Sequence, residues 1–317
     1  MLVNLYRDKT PIAVLSLPVF IAICAATVFL IDFQPKTNLL DWHNSFEQFI
    51  YSESWLNYLA TVLISSITAH QINNVYNRHT FYSKASFLPG LFYIIILFSM
   101  QQLSFSMDLI GQLFIVLALG EILKIRRQAP AKTNVFWASF LLGIAFVFSS
   151  FSVLLILLPW ISLAVFRPFV WREWAMVILG GMLPLIYYLT TLFVITGSFY
   201  FNPVVGENAS DFEWNLFNAS NIGYFGLLFL GTMYKYSVVF RSQINRFKKQ
   251  SQVILFLWIL TVIIWSVAYY VFDLAYMSFA IPSAIIMATP ILHSSRTSLS
   301  NVLVIIWLII SLSNMFN

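Results

Sequence analysis

The chain has 317 residues, of which 60% are hydrophobic and 9% charged, with a mean hydropathy of +0.83. A soluble domain carries about 25% charged residues, so a water-soluble fold is excluded. The net charge of +5 is then no sign of nucleic acid, because the cations fall in short loops between apolar runs, as in chains that keep such loops on the cytoplasmic side of a membrane.

Apolar runs predict spans near residues 11–31, 55–76, 86–104, 107–123, 133–149, 151–166, 174–198, 217–234, 252–272, 274–292 and 299–316. Most approach the length needed to cross a hydrocarbon core of ~30 Å as helix. The expected fold is all-α: one polytopic transmembrane bundle over residues 1–317 with about eleven spans, N-terminus inside and C-terminus outside. Arg7 and Lys9 precede the first run, which is too long for the apolar core of a cleaved signal peptide. The single cysteine, Cys24, sits in that run, so intrachain disulfides and cysteine-based metal sites are not expected. This topology puts sixteen of the 17 lysines and arginines in the cytoplasm, Lys36 being the exception. Nine of the 12 acids fall on the other side, and a wrong parity of spans would scramble that sorting.

Residues 136–166 would form a single helix of about 46 Å, too long for one span. Lys132 and Arg167 both favour the cytoplasm, so a hairpin turning at Ser149-Ser150-Phe151-Ser152 is expected. Gly180-Gly181 and the set Ala219, Gly223 and Gly226 are expected to let helices approach closely. Pro159, Pro184 and Pro282 are placed inside spans.

The first external loop, residues 32–54, carries Leu39, Trp42, Phe46, Phe49 and Ile50 at three- and four-residue spacing, the pattern of a helix lying in the outer interface. Asp41, Asn44, Glu47 and Gln48 fall on its other face, with His43 beside Asp41. Asp32 and Asp41 are candidate general bases at the membrane surface; the alternative is a solvated polar face. The second external loop, residues 199–216, sets Glu207, Asp211 and Glu213 among Tyr200, Phe212 and Trp214. Aromatic rings stack on a sugar's apolar face while carboxylates accept its hydroxyl protons, although the same rings also suit an interfacial belt.

On the inner side, His70, Asn73, Asn74, Asn77 and Arg78 form a polar stripe on the last turns of the second span, fit to hold a phosphate headgroup, another loop or the helix end itself. The connector Arg167-Pro168-Phe169-Val170-Trp171-Arg172-Glu173-Trp174 joins two long apolar runs. Trp171 and Trp174 are read as interfacial anchors, and Arg167 and Arg172 as cations that hold the flanking spans inside or offer a partner surface. Asp108 and Asp273 are placed near outer ends and Glu121 one turn from Lys124, leaving no charge at mid-membrane to drive a transporter. No P-loop, His-Glu-x-x-His helix or Gly-x-Ser-x-Gly elbow occurs, and no metal site is expected.

Ser83-Lys84-Ala85-Ser86-Phe87-Leu88-Pro89, Leu141-Leu142-Gly143-Ile144-Ala145 and the connector resemble an uncharacterised family of multi-pass inner-membrane proteins from Bacteroidota. More loosely, the acidic first external loop with its interfacial helix, and the short hairpin with Gly-Ile-Ala, resemble the GT-C membrane glycosyltransferases. That resemblance implies a GT-C-like fold in the bacterial inner membrane, a role in envelope biogenesis, and a polyprenyl-phosphate-linked sugar as donor at the outer face. It implies Asp41 as base, with Asp32 as the alternative, and His43, Glu47, Glu207, Asp211 and Trp214 around the substrate. The chain departs from the GT-C pattern in lacking an Asp-Glu or Asp-Asp pair in that loop. The alternatives are a non-catalytic subunit or scaffold of an envelope or secretion complex, with inner-membrane or periplasmic partners besides lipid, and a transporter.

Overall fold

The computed structural model describes residues 2–8, 10–30, 50, 53–127, 129–197, 216–272, 276–294 and 297–315. Among these the protein is helical, with no strand. The helices are α1 (Leu2–Arg7), α2 (Pro11–Leu30), α3 (Ser54–Arg78), α4 (Leu88–Ser99), α5 (Met107–Leu123) and α6 (Lys132–Phe148). A 3-10 segment, Ser150–Ile156, leads into α7 (Leu157–Phe166), and then come α8 (Trp171–Thr196), α9 (Leu216–Ser242), α10 (Asn245–Phe272), α11 (Ala280–His293) and α12 (Thr297–Met315). Among the described residues, three helical stretches are long and apolar enough to cross a membrane: Pro11–Phe29, Trp171–Val194 and Asn245–Ala268.

At the centre lie two short helices. All twelve residues of α4 are buried, as are all of α11 except Ile291 and His293, which is where a helix apolar on every side must sit. They measure about 18 and 21 Å, shorter than the spans expected over residues 86–104 and 274–292. The first stops early because Gln101 takes a left-handed φ of 57° and the Gln102 amide returns to the Leu97 carbonyl at 2.9 Å, a closure that ends a helix.

The turns gather at two ends. At one, the Val3 amide donates to Asn301 Oδ1 (2.8 Å), Arg7 Nη2 to the Leu292 carbonyl (3.2 Å), Ser86 Oγ to the Tyr6 carbonyl (3.0 Å) and Lys249 Nζ to the Phe166 carbonyl (3.3 Å). At the other, the Phe105 amide meets Asn57 Oδ1 (3.3 Å) and Asn221 Nδ2 reaches the Ser99 carbonyl. Every described lysine and arginine lies at the first end or within about two turns of it; of the described acids, Asp8, Glu121 and Glu173 lie there too, and Glu53 and Asp108 lie at the second.

The segment from α6 to α7 goes out and comes back, turning at Ser149, so that Ala131 and Glu173 meet at the basic end. α6 and α8 pack through glycine. A Cβ on Gly180 would stand 2.6 Å from the Phe136 carbonyl oxygen, and one on Gly143 would stand 2.7 Å from that of Gly181. Gly223 and Gly226 correct the expectation for α9, since a Cβ on either meets nothing within 4 Å. Pro159 and Pro282 are each the third residue of their helices, where no intrahelical amide bond is lost. Pro184 is interior to α8 and packs on Gly143.

Several long helices carry their leucines outward. In α3, Leu59, Leu63 and Ile67 are exposed while Thr61, Ser65, Thr68 and Asn73 are buried. In α2, Ile12, Leu15, Val19 and Ile23 form one exposed face.

Candidate functional site

Among the described residues at the acidic end, the most densely bonded polar group is Asp108, in the first turn of α5. Ser106 starts that helix, its hydroxyl accepting from the Leu109 amide at 3.3 Å. Only 5% of Asp108 is exposed. Ser149 Oγ donates to its Oδ1 at 2.7 Å, while Gln112 Nε2 at 3.0 Å and the Met277 amide at 3.3 Å donate to Oδ2. Tyr93 Oη donates in turn to Gln112 Oε1 at 2.7 Å, and Ser152 Oγ lies 3.2 Å from Tyr276 Oη. One carboxylate thereby ties α5, the hairpin turn at Ser149 and the approach to α11, with the helix dipole favouring negative charge at that position. Its three partners among the described residues all donate to it and so fix the geometry of these segments.

A second polar cluster builds the basic end. Arg167 Nη1 lies 2.9 Å from Glu173 Oε1 and also donates to the Ala129 carbonyl, and the Ala131 amide donates to Glu173 Oε1 at 3.2 Å. The two side chains are only 12% and 4% exposed. Trp174 packs between Trp160 (6.5 Å) and Phe169 (5.1 Å), with Trp160 Nε1 on the Trp174 carbonyl at 3.2 Å. Trp171 and Arg172 are exposed, the guanidinium 6.0 Å from the Trp171 ring. The connector thus divides: Arg167, Glu173 and Trp174 clamp the hairpin to α8, and Phe169, Trp171 and Arg172 face outward.

No family model, curated protein or solved structure matches the chain.

The other residues singled out in the sequence, Asp32, Asp41, His43, Glu47, Glu207, Asp211 and Trp214, lie outside the described residues, as does Asp273. Among the described residues no group of three or more His, Cys, Asp or Glu side chains could hold a metal ion. The amide stripe on α3 grips backbone. Asn77 takes the Ser86 amide on Oδ1 (2.9 Å) and gives Nδ2 to the Ser86 carbonyl (3.0 Å), while Asn73 Oδ1 receives the Gly90 amide at 2.7 Å. These bonds hold the entry to α4, and of the three roles open to the stripe they favour binding a loop. Asp108 was visible in the sequence only as an acid just after Ser106; its partners Ser149 and Met277 stand 41 and 169 residues away.

His79, just past α3, has Nδ1 3.3 Å from Gln250 Nε2. Burial, and then the charge of Arg246 with lesser help from Lys124 and Arg78, pushes its pKa from 6.5 down to about 4, against an opposing backbone contact at Gly120. The native imidazole is therefore neutral where the unfolded one takes a proton. Stability falls as pH drops through 6.5 towards 4, by at most about 3 kcal/mol at about 1.36 kcal/mol per unit. Unfolding midpoints at pH 7.5 and 5 should drop more for the wild type than for His79→Gln. Equal drops would exclude this histidine as the source.

Proposed function

We propose that this is a multi-pass protein of the bacterial inner membrane, crossing it about eleven times, with the basic end in the cytoplasm. The observation that carries the reading is α3, whose hydroxyls face inward and leucines outward, an inverted arrangement suited to lipid and unsuited to water. The alternation of turns between a basic and an acidic end supports the orientation.

Within that frame, the function is GT-C-like: binding, and transferring, a polyprenyl-phosphate-linked sugar at the outer face during envelope biogenesis. The support is the acidic, aromatic composition of residues 32–54 and 199–216, whose described flanks Leu30, Glu53, Gly197 and Leu216 lie at the end where Asp108 sits. Asp41 takes the acceptor hydroxyl's proton, Asp32 stands in for it, and Glu207 and Asp211 position sugar. Replacing Asp32 and Asp41 together with Asn should abolish activity in the source cell while membrane levels stay normal. Full activity in that double variant would end the catalytic reading.

A second reading, a non-catalytic subunit of an envelope complex, is favoured by the exposed Phe169 and Trp171, at 71% and 65%, on a connector held in place by Arg167, Glu173 and Trp174. It predicts stoichiometric partners after extraction in mild detergent, crosslinked through the connector or near Lys248. Purification as a lone chain would count against it.

A further inference from the structure

Between α9, α11 and the start of α12, a cleft of about 100 Å³ opens near the basic end. Its walls are mostly apolar, formed by Phe92, Leu228, Met287 and Leu303 among others, and Gly231 adds no side chain between Leu228 and Lys235 on the α9 side. Lys235 lies on the same lining one turn further towards the basic end, with Ser294 and Ser300 across from it. The helices that flank the cleft present exposed apolar faces: Leu227 and Leu230 on α9 are 72% and 68% exposed, and Leu299 and Val302 on α12 are 53% and 55% exposed.

Lys235 is exposed and enters no ion pair among the described residues. A second cation stands by, since Arg7 Nη2 donates to the carbonyls of Leu292 (3.2 Å) and Ser294 (3.4 Å) at that rim. An apolar slot reached from a lipid-facing side, with positive charge only at its cytoplasmic mouth, matches a molecule with a hydrocarbon tail and an anionic head.

We propose that this cleft seats the first few methylenes of one acyl chain of an anionic phospholipid of the cytoplasmic leaflet, its phosphate on Lys235 and within reach of Arg7. The inference rests on the membrane orientation above and is independent of any glycosyl transfer. Basic pockets between transmembrane helices on the cytoplasmic side recognise headgroups in this way, each lysine near the surface contributing about fivefold in affinity.

The test uses the full chain in detergent, titrated with phosphatidylglycerol or phosphatidylcholine and read by native mass spectrometry as the fraction carrying lipid. The wild type should retain phosphatidylglycerol in preference to phosphatidylcholine, and Lys235→Gln should lose about fivefold of that preference while Lys235→Arg keeps it. Gly231→Leu, which meets no neighbour within 4 Å at its Cβ, should fill the slot and lower retention of both lipids. Equal retention of the two lipids, or retention unchanged in both Lys235→Gln and Gly231→Leu, would overturn the site. Alkaline extraction of membranes tests the orientation's premise separately: a chain released by carbonate fails as a membrane protein, whereas one retained but without lipid preference fails only here.

Discussion

Asp108→Ala is expected to lower the apparent thermal midpoint of the detergent-purified protein by on the order of 10 °C. The substitution leaves the Ser149 hydroxyl, the Gln112 amide and the Met277 N–H without their acceptor. Each buried donor left unpaired costs about 1–3 kcal/mol. The serine can rotate towards other acceptors, but the Met277 amide is backbone and cannot turn away, so a net loss of about 3–5 kcal/mol follows, and each kcal/mol shifts the midpoint of a large domain by about 2–4 °C. Asp108→Asn keeps the shape and one acceptor oxygen while turning an NH2 towards a donor, so it should recover only part of the loss. A midpoint unchanged in Asp108→Ala would sink the structural role. Activity abolished in Asp108→Asn at a wild-type midpoint would assign the carboxylate to chemistry instead.

The basic end should respond as strongly. Glu173→Ala removes the only carboxylate that, among the described residues, pairs with the mostly buried Arg167 guanidinium, and strips the Ala131 amide of its acceptor, and breaking a buried pair from one side costs about 3–5 kcal/mol. Arg167→Ala in the Glu173→Ala background should cost far less than alone, because the charge it removes is already unpaired. A double-mutant cycle read from unfolding midpoints in dodecyl sulfate should therefore give a coupling of about 2 kcal/mol or more. Strict additivity would mean that the two side chains meet without depending on each other. The same loss should loosen the hairpin against α8, since Ala129 and Ala131 are held to the connector through this pair.

Much of the helical order was legible in the sequence, including the turn at Ser149 and the close packing at Gly180. Lys132 and Arg167 at the ends of one apolar run sufficed for the hairpin, because a charge is costly in hydrocarbon wherever it falls. Gly223 and Gly226 were misread for an equally simple reason: a glycine in a helix is compatible with close approach, but the sequence does not say which face meets a neighbour. The Asp108 site was the larger omission. An aspartate one residue into a helix is ordinary dipole complementarity, and nothing local announces that a serine and a backbone amide from distant segments converge on it.

Composition, the run lengths and the order of charges along the chain are local properties and were readable without the fold. Where lipid outside and core inside are both hydrocarbon-like, periodicity of hydropathy no longer marks the inner face. Only the tertiary structure could therefore decide that α4 and α11 are central, that the hydroxyls of α3 point inward, and that Asp108 and Glu173 anchor opposite ends. Those choices depend on hydrogen bonds between segments far apart in the chain, as from Ser149 to Asp108 and from Asn301 to Val3, and on backbone approach that glycine permits at Gly143 and Gly180.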